Sequence, residues 1–146
     1  MLMQDVGQPS LAHLDEEHLA NELRQALRQT LFSSGRRISP RHVNQVGQDM
    51  AAAFVKFLAT QDEATAHTYG QHLATEGLGH RSVLTMTGAL QRVCRESANG
   101  VPLPALAGSY VNALLEGYMA HREAYLLQEQ ARTQHAFQRA QEQYEQ

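Results

Sequence analysis

Leu106 to Gln146, LAGSYVNALLEGYMAHREAYLLQEQARTQHAFQRAQEQYEQ, runs for about forty residues without a proline and is built mostly from Ala, Leu, Glu, Gln and Arg. That composition predicts one long helix. Its first half repeats apolar or aromatic residues at spacings of three and four, through Leu106, Tyr110, Ala113, Leu114, Gly117, Tyr118, His121 and Tyr125. Such a stripe faces a core. From Gln128 onward the stripe gives way to a thinner series, Leu126, Gln130, Thr133, Phe137, Ala140 and Tyr144, spaced alternately four and three. A seam of that kind is too polar to be a core and too regular to be accidental, so it fits an exit helix that pairs weakly with its copy in a homodimer. The pattern runs to the last residue without a capping Gly or Asn, which is the expectation for a helix leading into an output domain.

Working outward, the 146 residues suit one domain with a core of useful size. The divisions expected are an irregular segment 1–13, a helical sensory domain 14–127 and a coiled-coil-like exit helix 128–146. Leu14, Leu19, Leu23, Ala26, Leu27 and Leu31 have helical spacing, with Asp15, Glu16 and Glu17 at the favourable end of the helix dipole and Gly35 as the stop. Ser39-Pro40 is the clearest helix start in the chain, a capping hydroxyl followed by the residue preset for the first helical position. The helix after it runs through Val43, Val46, Met50, Phe54 and Leu58, and Gly47 within it points to a close helix crossing. A third helix is capped by Asp62, Gly77-Leu78-Gly79 interrupts the chain, and His80 to Ser97 resumes a helix with Val83, Leu90 and Cys94 on its inner side. No period-two stretch of useful length occurs, so the fold class is all-α, about five helices with a projecting C-terminal one.

Composition narrows the function. Eleven Arg and one Lys, Lys56, are scattered through a chain of net charge −3, without the basic stripe that nucleic acid requires. No window reaches the length of a membrane span, and one cysteine excludes an internal disulfide, which together predict a cytoplasmic protein. No histidine pair has the i, i+4 spacing of a helical metal face, so no metal or other cofactor is expected. Haem needs a single axial histidine, and His72 and His80 are the candidates for that alternative, a globin-type gas sensor. Cys94 follows its helix's apolar period and reads as core, not as a nucleophile. His121-Arg122-Glu123 opens like a phosphoacceptor motif but lacks the proline that follows in such motifs. Phe54, Phe57, Tyr69, His72 and Tyr110 are the candidate walls of a pocket for a small apolar ligand, because glycines within the helices would let them approach unevenly and leave space.

Gly35 to Pro40, the run Val43 to Leu58, the segment Tyr69 to Leu84 and the exit through Tyr125 to Gln130 together resemble the N-terminal sensory domains of RsbR-type stressosome regulators and related anti-sigma-factor antagonists. The resemblance rests on layout. It implies a globin-like helical fold without haem, dimerisation, and a signal passed along the last helix to a C-terminal STAS domain or to other stressosome-like proteins. It implies no catalytic residues, so the expectation is a non-catalytic signalling module. A purely structural dimerisation module is the bland alternative.

Overall fold

The computed structural model describes residues 14–34, 38–97 and 102–145, with the side chains of 32–34 excepted. Those residues form five helices: α1 (Glu16–Ser34), α2 (Pro40–Thr60), α3 (Glu63–Thr75), α4 (His80–Ser97) and α5 (Leu103–Glu145). No strand occurs among them. The predicted irregular segment 1–13 and the stop at Gly35 lie outside the described residues.

Local chemistry sets the boundaries. Asp15 caps α1, its Oδ1 accepting from the amides of Glu17 and His18 at 3.0 and 3.2 Å. Ser39 Oγ accepts from His42 N at 3.2 Å, with Pro40 opening α2. α2 ends at Gln61, a left-handed residue (φ 51°), and Asp62 at once caps α3 by accepting from Ala64 N and the Thr65 hydroxyl at 3.1 and 2.7 Å. That hydroxyl and the backbone amides hold the Asp62 carboxyl below the ordinary carboxylate range. α3 closes on Gly77 (φ 83°), where Gly77 N donates to Ala74 O and Leu78 N to Leu73 O. This paired closure needs a glycine in the left-handed region, and it turns Leu78 inward to bury it.

α1 packs between α2 and α4, and α5 lies along α3 with α4 beside it. The core runs through Leu19, Leu23, Leu27, Met50, Phe54, Leu73, Met86, Leu90, Tyr110, Leu114 and Tyr118, all at most 1% exposed. A buried hydroxyl pair, Thr30 and Ser82 at 2.8 Å, ties α1 to α4.

α5 starts three residues before Leu106, at Leu103, since Pro104 is tolerated in a first turn whose amides have no intrahelical acceptor. Its buried stripe is Leu103, Ala107, Tyr110, Val111, Ala113, Leu114, Gly117 and Tyr118. His121 and Arg122 are half-buried, while Tyr125 is 57% exposed, so the stripe expected to reach Tyr125 stops about a turn sooner. The rod therefore leaves the body near Arg122 rather than after Leu127.

Candidate functional site

The place where α5 leaves the body is built by glycine. A Cβ on Gly70 of α3 would stand 1.9 Å from Leu114 O, and one on Gly117 of α5 would stand 1.9 Å from His67 O. The two helices thus touch backbone to backbone at reciprocal glycines. This corrects the expectation that helical glycines leave room for a ligand: at Gly70 and Gly117 the missing side chains are filled by the neighbouring helix. Gly47 likewise lies under α1, its absent Cβ 3.0 Å from Ala20 O. Gly88 and Gly108 face open space.

Just beyond the crossing, the side chains of α5 engage the end of α3. Tyr118 donates its hydroxyl to Leu78 O at 2.5 Å, and Arg122 reaches that hydroxyl at 3.4 Å. His121 Nε2 lies 3.1 Å from Thr75 Oγ1. On the other side of the α3 terminus, Glu76 faces two imidazoles: His72 Nε2 lies 2.7 Å from Oε1, and His42 Nε2 lies 3.2 Å from Oε2 without hydrogen-bonding to it. The clasp joins the start of α2 to the end of α3. Its members are partly exposed, so each contact, an ion pair only where the histidine carries a second proton, is worth at most about 0.2–1 kcal/mol. The two imidazoles approach different carboxylate oxygens, and among the described residues no group of His, Cys, Asp and Glu is arranged to hold a metal.

The five expected pocket residues divide. Phe54, Phe57 and Tyr110 come together, the ring of Phe54 edge-on to that of Tyr110 at 5.1 Å between centroids and that of Phe57 tilted at 5.2 Å. Such pairs are worth about 0.5–1.5 kcal/mol each beyond the area they bury. Tyr69 is half-buried beside them, but His72 lies outside on the clasp, its ring 6.0 Å from that of Tyr69. Between Phe57, Tyr69 and Tyr110 the free volume is about 10 Å³, so in this conformation they form packed core and not a ligand-sized cavity. His80, the other haem candidate, is exposed, as is His72. Neither the reciprocal glycines nor the Glu76 clasp could be found by listing residue types. The glycine spacing was visible, and its partner was not.

The exit-seam residues Leu126, Gln130, Thr133, Phe137, Ala140 and Tyr144 are all exposed. Leu126, Phe137 and Tyr144 are 51%, 69% and 91% exposed, and Leu126, Leu127, Gln130 and Thr133 border a shallow groove. Met119, seven residues before Leu126 and 64% exposed, continues the seam back onto the body.

Cys94 is wholly buried, and burial pushes its thiol up to about 12. At pH 8 the folded protein is expected to leave a disulfide reagent such as DTNB unreacted, whereas protein in denaturant reacts completely. Rapid labelling of native protein would place Cys94 outside the core. No helix among the described residues is long and apolar enough to cross a membrane. No family model, no curated protein and no solved structure matches this chain, and its function is therefore read from its own geometry.

Proposed function

We propose that the chain is a non-catalytic sensory module that dimerises through α5 and relays a change in its body along that helix to an output domain of STAS type. The observation that carries the reading is the continuity of α5. One hydrogen-bonded helix of 43 residues, about 65 Å, begins in the core at Leu103 and presents no buried residue after Tyr118. An isolated helix segment of such polarity gains little from its own propensity, so its exposed apolar side chains call for a partner. The spacing of Leu126, Phe137 and Tyr144 with Gln130, Thr133 and Ala140 suits a second copy, because each helix offers the other the same seam.

A continuous helix transmits shift or rotation because its hydrogen-bond ladder resists bending. A seam with polar positions leaves neighbouring registers close in energy, and an input acting on α3 can bias them through the glycine crossing. The haem alternative draws no support from His72, whose Nε2 is engaged by Glu76.

Sedimentation across the micromolar range tests the dimer. Wild-type protein is expected to associate reversibly, and Leu126→Arg with Phe137→Arg to give a monomer whose body melts as before, since both side chains are exposed. A wild-type protein that stays monomeric at the highest concentrations overturns the reading.

A further inference from the structure

Tyr110 is 1% exposed, yet its hydroxyl has no hydrogen-bond partner. Burial raises its pKa well above the ordinary range, so the group stays a neutral O–H. Leaving such a group unpaired is costly. Tyr110 forms part of the wall of a crevice between α2 and α3, together with Ala53, Lys56, Phe57, Thr65 and Tyr69. The Thr65 hydroxyl donates to Asp62, and that of Thr60, at the same lip, donates to Lys56 O. The two helices are joined by the left-handed turn at Gln61 and Asp62 and, at their far ends, approach through His42 and Glu76; between those points they touch sparingly.

We propose that the crevice is a binding site for a small uncharged aromatic molecule with a single ring and one hydrogen-bonding group, phenol being the simplest, which enters between α2 and α3 and pairs with the Tyr110 hydroxyl. The walls dictate the class. Phe57, Tyr69 and Tyr110 present ring faces and edges, which favour a ring. Lys56 stands among the wall residues, but a charged ligand enclosed between the rings would lose its hydration, which favours an uncharged one. The free space of about 10 Å³ holds at most one water, so entry requires Tyr69, the half-buried wall, to swing outward. One ring is what such a swing admits. Movement of α3 would then act on the helix crossed at Gly70, which gives the proposed sensor an input.

The proposal rests on the sensory reading for its purpose, but its test is separate. Amide spectra of the intact chain are recorded against millimolar phenol and, as the ring without a hydrogen-bonding group, toluene. Both are expected to shift residues of α2 and α3 around Ala53, Thr65 and Tyr69, with phenol bound about five- to tenfold more tightly, the worth of one neutral hydrogen bond. Tyr110→Phe should bring phenol down to the affinity of toluene and leave toluene unchanged. Absent or scattered shifts, or a preference for phenol that survives Tyr110→Phe, overturns the site, including the case in which a water alone satisfies Tyr110. A monomeric wild type with localised phenol shifts would sink the dimer and keep the crevice, and the reverse result would do the opposite.

Discussion

Adding one methyl group at Gly117 is expected to destabilise the protein by about 3 kcal/mol or more, the upper end of the range for overpacked interiors. Ala is ordinarily better than Gly within a helix by about 1 kcal/mol, so the sign itself is diagnostic. The new Cβ would overlap His67 O at 1.9 Å. Because the obstacle is backbone, no rotamer change relieves it, and α3 must separate from α5 along their whole contact. Gly70→Ala meets Leu114 O at the same distance and should behave alike. Gly88→Ala and Gly108→Ala provide the internal contrast: nothing stands within 4 Å of a Cβ at either position. They are expected to gain about 0.4–1 kcal/mol by restricting the unfolded chain. Urea unfolding of the four variants separates the pairs, and equal effects at all four would mean that α3 and α5 do not meet as described.

The same glycines show where sequence reasoning reached its limit. Helical periodicity identified all five helices, because a one-sided apolar stripe is a local property of the chain and the caps at Ser39 and Asp62 are local too. What a glycine faces is not local. Gly47, Gly70, Gly88, Gly108 and Gly117 look alike in the chain, yet three lie under a neighbouring helix and two face open space. The aromatic residues were ambiguous for a related reason. Phe54, Phe57 and Tyr110 have the spacing of a cavity wall and of a filled core alike, and only the ring separations of 5.1 and 5.2 Å distinguish the two. His42 could not have been joined to His72 and Glu76 from sequence, since it lies a whole helix away. The exit helix was the most legible element because its change from stripe to seam is written along one segment; only the point of departure was misplaced, at Leu127 instead of near Arg122.

Tyr118, His121 and Arg122 mark that departure point, and all three engage α3 or its terminus directly or through one another. A displacement of α3 is therefore felt at the last turn of α5 that still belongs to the body. The glycine crossing makes the contact stiff, since backbones in van der Waals contact cannot absorb motion by side-chain rearrangement. Beyond Arg122 no described residue outside α5 buries the helix or opposes the movement. On the proposed reading, what the helix does next depends on the second copy.

Replacing Gln130 and Thr133 by Leu is accordingly expected to have the largest effect on assembly. Both positions are exposed in the single chain, so the folded body should be unchanged. In a pair of helices the two substitutions bury four leucines. At about 1.5–3 kcal/mol for each buried side chain, even the low end amounts to roughly 6 kcal/mol, or on the order of a ten-thousandfold fall in the dissociation constant. Sedimentation of the double variant measures this. An unchanged dissociation constant would show that the seam is not where copies meet. If the constant falls, the relay and the purely structural module diverge once the chain is joined to an output domain. A relay needs two registers of similar energy, and a leucine seam favours one of them strongly, so output should become fixed and indifferent to input. A structural module has no second register to lose, and tighter pairing should leave its output as it was.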